Sequence, residues 1–283
     1  MIADESQMQT GNEEVPALED EQIAQVLSEI KLGSEEYISL YSSLNELAKE
    51  AYRSVGTVVG VTSDVGWLDN EYESKGAVSG VIVADNGRDL LILANASSIK
   101  DADSLKVTFI DGQEYQASIK KRDSHTGLAV ISISKSIIKS STLGAVKAAT
   151  LGTSGNSLVG SPIIALGRPM GTEGSICYGN VTSVGSIVNL PDSYYKYITT
   201  DIYGSVNASG ILINLHGQVI GMIDMSNSPA DMKNLISGIG ISELKKVVER
   251  LSNDNDIAYF GVYGTDVTEE ANVKMGVPFG AYI

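Results

Sequence analysis

The 283-residue chain has a single cysteine, so no intramolecular disulfide can staple its fold and the redox compartment is left open. Its two histidines stand far apart in sequence, which disfavours a histidine-based metal cluster. Basic residues are in deficit, 20 against 35 acids. Nucleic-acid binding needs a basic face to displace phosphate counterions, and anionic membrane surfaces ask for the same, so neither partner class fits. No run of about 18 apolar residues occurs, so no helix is expected to span a membrane. No apolar signal-peptide core follows Met1, and an export signal or anchor, if the native protein has one, is expected to have been removed from this sequence.

The acidity that is present is unevenly placed. Residues 1–50 hold 12 acids and 2 bases, whereas the other 233 residues are nearly balanced. Residues 1–16 are polar and predict a disordered acidic tail. Ile23, Val26, Leu27 and Ile30 then recur at helical spacing, with Glu19, Asp20 and Glu21 where they favour the helix dipole. Ser34 is placed to cap a second helix with the apolar stripe Tyr37, Tyr41, Leu44, Ala48 and Tyr52, so 17–53 is expected to be helical.

From Ser54 the period changes. Short segments rich in Val, Ile and Thr recur at 55–63, 77–84, 89–94, 105–110, 113–120 and 128–133, then at 162–167, 176–184, 196–200, 210–214 and 217–224. Turns such as Asp85-Asn86-Gly87 and His216-Gly217 separate them. Closely spaced strands without intervening helices predict a mainly β sandwich or barrel. The Ser/Lys/Ala-rich connection 134–149 splits them into two similar units, and 241–252 predicts a closing helix carrying Leu244, Val247, Val248 and Leu251. Asn253–Asp256 is a linker, and 257–283 predicts a strand, a short helix and a second strand.

Two such units flanked by helices resemble the chymotrypsin-like double six-stranded β-barrel, and specific segments resemble the HtrA family of trypsin-like serine proteases. Ser79-Gly80-Val81-Ile82-Val83 is similar to the family's GSGVII strand, and Leu128-Ala129-Val130 to its LAV strand. Val159–Gly171 resembles its VGDxVxAIGNPxG segment, Asn214–Gly221 its NLDGEVIG, and Gly238–Leu251 its GIGFAIP…VVEQL ending. The resemblance implies a protease-type domain over 54–252, with barrels at about 54–137 and 148–240. Tyr259-Phe260-Gly261-Val262 resembles the YLGI loop that opens the family's PDZ domain, where backbone N–H groups meet a peptide carboxylate. Residues 257–283 are therefore expected to be the N-terminal fragment of a PDZ domain, with Phe260, Gly261 and Val262 in the carboxylate loop and most of the groove absent.

Serine-protease catalysis needs an attacking Ser hydroxyl, a His that moves its proton, and an Asp that holds the His. The family carries these in TNxHVV, TDLAV and GNSGGPL. The first motif falls on Ala94–Ile99 and puts Ser97 at the His position, where a hydroxyl cannot serve as a base near neutral pH. The second falls on Thr126–Val130 and puts Gly127 at the Asp position. The third falls on Val206–Leu212; counting back from Asn214-Leu215 puts Ala208 at the nucleophile, and counting forward from Thr200-Asp201 puts Ser209 there. Ser209 is the only candidate nucleophile. Val206 replaces a glycine whose positive φ helps shape the oxyanion loop.

A dyad of Ser209 with His125 is the remaining catalytic alternative, with Asp123 and Ser124 beside it; solvent-exposed turns are the competing reading for His125 and His216. Asp201 is expected to be structural, Cys177 a small buried apolar residue, and Tyr194, Tyr195 and Tyr197 partly exposed barrel aromatics rather than cleft lining. Gly152–Gly160 lacks the Lys-Ser/Thr of a phosphate loop. The expectation is a catalytically inactive serine-protease homologue that binds, senses or scaffolds peptide or unfolded protein, with no cofactor and no metal. An active endopeptidase using Ser209 and an oligomeric structural module are the alternatives. The resemblance further implies a homo-oligomer (a trimer in many relatives), a cell-envelope location and an upstream membrane anchor in the native protein.

Overall fold

The computed structural model describes residues 33–61, 74–99, 102–123, 126–155, 158–190, 193–226, 228, 232–262 and 264–282. The helix expected over 17–30 lies outside them. By internal contacts the chain divides into Met1–Ser43 and Leu44–Ile283. Helix α1 (Ser34–Tyr52) runs across that division. Gly33, not Ser34, caps it: the Gly33 carbonyl accepts from Tyr37 N–H (3.3 Å), and Glu36 reaches back to accept from Gly33 N–H (2.8 Å). Ser34 thus stands inside the first turn, displaced from the cap by the back-reaching carboxylate.

The body is two closed six-stranded antiparallel barrels, as the alternating strand pattern predicts. The first joins β1 (Val55–Val61), β2 (Ser74–Asp85), β3 (Asp89–Asn95), β4 (Ser104–Thr108), β5 (Glu114–Arg122) and β6 (Leu128–Ser134) in the order β1-β2-β3-β6-β5-β4. The second joins β7 (Pro162–Arg168), β8 (Ser175–Leu190), β9 (Ser193–Tyr203), β10 (Ser209–Asn214), β11 (Val219–Ile223) and β12 (Leu235–Gly240) in the order β10-β11-β12-β9-β8-β7. Strand β12 is absent from the sequence reading, because Ser237, Gly238 and Gly240 dilute its apolar pattern. β8 and β9 run well past their expected ends, and their mutual pairing extends from Val181↔Thr200 out to Leu190↔Ser193. The connection 134–149 is not plain loop. It holds a 3-10 turn, Lys135–Ile137, and a short helix α2 (Ser140–Ala145).

Several strands are apolar at consecutive positions, and the two-residue side-chain period explains why. In β3, Leu90, Ile92 and Ala94 fill the first barrel, whereas Leu91 and Leu93 point the other way into a core shared with the second barrel. β6 repeats this, with Ala129, Ile131 and Ile133 inside and Leu128 and Val130 outside. In the second barrel, Ile163 and Ala165 of β7 face inward while Ile164 and Leu166 face the shared core. That shared core is sealed by helix α3 (Ile241–Ser252), through Ile241, Leu244, Val247, Val248 and Leu251. Tyr195 and Tyr197 are buried in it, which corrects their expected partial exposure.

After α3 the chain is strapped along the first barrel. Lys121 pairs with Asp256 (2.8 Å) and Asp254 (3.8 Å), Ile257 packs on the shared core, and Tyr259 O–H donates to both Asp123 oxygens (3.1 Å each). Beyond it β13 (Thr265–Asp266), helix α4 (Glu269–Met275) and β14 (Ala281–Tyr282) follow, in the predicted order. Thr268 caps α4 by accepting from Ala271 N–H, and Gly276 closes it in the left-handed region at φ 66°.

Candidate functional site

The ends of β2 and β3 meet the loop before β10 across a cleft of about 690 Å³. Its walls include Ala77, Asn95, Asn207, Ala208, Ser209 and Asp224. Of the three sequence-aligned positions, Ala208 lines the cleft, and the other two lie at the ends of neighbouring strands of the first barrel. Ser97 lies in the 3-10 turn Ala96–Ile99 directly after β3, and Ala96 N–H in that turn donates to the Gly127 carbonyl (2.7 Å). Ala208, buried, lies on the cleft wall beside Ser209.

Gly127 sits at φ +69°, a conformation that costs a side-chain-bearing residue about 1–2 kcal/mol. Asp123 lies four residues before Gly127. Its carboxylate accepts from Thr126 N–H (3.1 Å), Thr126 Oγ1–H (2.5 Å) and the Tyr259 hydroxyl, so it closes its own turn and holds the strap. His125 lies outside the described residues. His216 is exposed in the turn after β10; along an extended strand it is roughly 20 Å from Ser209.

Ser209 is the first residue of β10, 6 % exposed, and its Oγ accepts from the Ser79 backbone N–H (3.0 Å). The hydroxyl is thus engaged as an acceptor by the neighbouring barrel. The following residue must be glycine: Gly210 has φ +132°, and a Cβ there would lie 2.0 Å from the Leu166 carbonyl oxygen. The loop before it spends its amides internally. Ala208 N–H donates to the Ser205 carbonyl (3.0 Å) and Asn207 N–H to Ser205 Oγ (3.1 Å). Val206 does not take a positive φ; Asp254 is the only non-glycine among the described residues that does. An oxyanion needs amide donors aimed outward at it, and these two are turned back.

Asp201 lies on β9, outside this chemistry. Asn180 donates to it twice, from its backbone N–H (2.6 Å) and its side-chain amide (2.9 Å), and those bonds hold the carboxyl below its ordinary pKa. Cys177 is half-buried rather than fully buried, and burial raises its thiol pKa, the wrong direction for a nucleophile. Among the described residues no three His, Cys, Asp or Glu side chains cluster as a metal site.

One cleft residue escapes sequence reading altogether. Asp224, just after β11, is 7 % exposed and on the cleft wall. Its Oδ2 accepts from the Tyr197 hydroxyl, and its Oδ1 from Ser226 N–H (3.0 Å) and Ser226 Oγ–H (2.6 Å). The signal available was an acid placed between the apolar run Val219–Ile223 and a Met-Ser turn, and it is faint. At the C-terminal end, Phe260 is 94 % exposed and Gly261 has φ +84°. These two and Val262 follow the strapped Tyr259 and do not reach the cleft wall.

Residues 78–222 match the trypsin-like peptidase domain family. Among curated proteins, the chain is 27% identical over 230 residues to a "Serine protease HtrA-like" from Staphylococcus aureus strain MRSA252, and equally to those of strains USA300 and NCTC 8325. Each alignment covers 77% of this chain and 29% of the relative, so the chain spans under a third of the length of these relatives.

Proposed function

We propose that this chain, which belongs to the trypsin-like peptidase domain family, holds extended peptide or unfolded protein in the cleft between its barrels without cleaving it. What supports this is the cleft together with the motif register, which aligns Ser97, Gly127 and Ala208 with the three positions of the triad; Ala208 lines the cleft, and Ala96 beside Ser97 donates to the Gly127 carbonyl. A hydroxyl, a hydrogen and a methyl group supply no base and no orienting acid. Ser209 lends no clear replacement, because its Oγ is engaged by Ser79 N–H. The weak charge of residues 51–283 suits a neutral, extended ligand. A labelled fluorophosphonate tests the reading, since it reacts only with an activated serine. The expected result is no labelling and no release of fragments from casein. Labelling that disappears in Ser209→Ala would overturn it and install an endopeptidase with an unconventional base.

A second reading is supported by a different observation. Tyr37, Ile38, Leu40 and Tyr41 of α1 are exposed, the first two at 61 % and 65 %, and the Tyr37 and Tyr41 rings are in contact. An apolar stripe of this kind fits self-association, so we infer that the chain is a homo-oligomer whose contacts involve α1. Residues 257–283 are consistent with the opening of a PDZ-type module, with Phe260, Gly261 and Val262 where a peptide carboxylate would be met. A cell-envelope location follows from the likeness to HtrA-like proteases; no described helix is long and apolar enough to cross a membrane.

A further inference from the structure

Asp224 is an acid on the wall of a cleft otherwise lined by neutral groups and one arginine. Removing a carboxylate from water costs several kcal/mol unless hydrogen bonds or a counter-charge offset it. Asp224 has the hydrogen bonds. Tyr197 and Ser226 aim three donors at it, which fixes its orientation. It lacks the counter-charge: among the described residues no Lys or Arg forms an ion pair with it. Arg168, the cation that shares the cleft, donates instead from its guanidinium to the Gly171 carbonyl (2.6 Å). A carboxylate offers about four acceptor sites, and three are filled by neutral donors. Among the described residues this leaves one oriented acceptor position of the carboxyl at the edge of a ligand-sized space.

We propose that Asp224 selects, from among the extended peptides this cleft holds, those that place a lysine or arginine side chain beside it. The inference rests on the peptide-binding reading above and adds to it the class of side chain preferred. A long aliphatic stem suits the apolar part of the wall, Ile223 and Met225, while its cationic head meets the acid. A metal ion is a poorer fit, because no second acid or histidine joins Asp224 among the described residues. The surrounding donors are hydroxyls and an amide, so they hold the acid in place without neutralising it.

The test uses the full chain, immobilised, and end-capped hexapeptide pools randomised over small neutral residues. One pool fixes lysine at a single position, and a second fixes norleucine, which keeps the stem and removes the charge. Retention of the lysine pool at least about tenfold above the norleucine pool is expected, by the usual coupling of a desolvated charge pair. Asp224→Asn, which is isosteric and keeps acceptors for Ser226, should abolish that difference and leave retention of the norleucine pool unchanged. Equal retention of the two pools by the unaltered protein would overturn the side-chain preference alone and leave Asp224 a purely structural turn residue. Retention of neither pool would overturn the peptide-binding reading and this inference with it. The unaltered protein decides between these outcomes even if the variant does not fold.

Discussion

At Gly127 the motif register and the backbone conformation meet. The register of LAV aligns this glycine with the acid position, and the structure adds a left-handed φ, a shape glycine takes without cost. Ser97 and Ala208 are aligned with their positions by the same counting from neighbouring motifs. Asp224 was not legible, because burial of an acid beside a cleft depends on Tyr197, 27 positions earlier in the chain, and no local pattern encodes that neighbour. Asp201 was read correctly as an acid worth noticing, but its partner Asn180 on the adjacent strand could not be named. Its depressed pKa sets a testable sign. A carboxyl that is more acidic folded than unfolded contributes stability above its ordinary pKa, here 3.8, and loses it as pH falls through the lower folded value. Asp201→Ala should therefore lower stability by about 1 kcal/mol near neutral pH, after allowance for the exposure of the pair. The deficit should close below about pH 4 in denaturant titrations. A deficit that stays constant down to pH 2 would show that the carboxylate charge is irrelevant.

Among the elements, helix α3 was the most legible, its bounds matching 241–252, because five apolar residues at helical spacing follow a glycine-rich strand end. Strand β12 was the least, since two glycines and a serine in six residues leave too little apolar signal. Its place is fixed by closure instead: β9 and β11 each need a partner, and β12 supplies the ladder to both. The strap after α3 was foreseen only as a linker. Its attachment through Lys121, Ile257 and Tyr259 depends on residues of β5 and the following turn more than 130 positions away. Tyr259→Phe removes the hydroxyl that meets Asp123, a loss of about 1–2 kcal/mol to this segment. The expected outcome is faster cleavage within 253–264 by a nonspecific protease, with the melting temperature of the barrels unchanged. Cleavage at the original rate would mean that the ion pairs and Ile257 hold the strap without Tyr259.

For the whole molecule, composition located the acidic segment, yet it could not say where the compact body begins. Residue numbers near 53 looked natural from the change of period. The contacts place the division at Ser43, because Leu47, Ala48 and Ala51 of α1 belong to the shared core. This refines how self-association should be measured. Light scattering of the full chain is expected to give a multiple of the monomer mass, and a chain starting at Leu44 the monomer mass. Equal association of both would remove the first half of α1 from the contact. A cut at Tyr52 would instead strip buried alanines and confuse unfolding with dissociation.

The alternating strands carry one more implication, for how such a chain can change over evolutionary time. Strands β3, β6, β7 and β10 each present apolar residues on both faces, one set to their own barrel and one to the seam. A gene split in the 134–162 connection would yield two halves, each a closed barrel with a greasy outer flank. Neither could exist in water without the other. The two barrels, alike as they are, have become an indivisible inheritance: duplication can copy the pair, but fission cannot separate it.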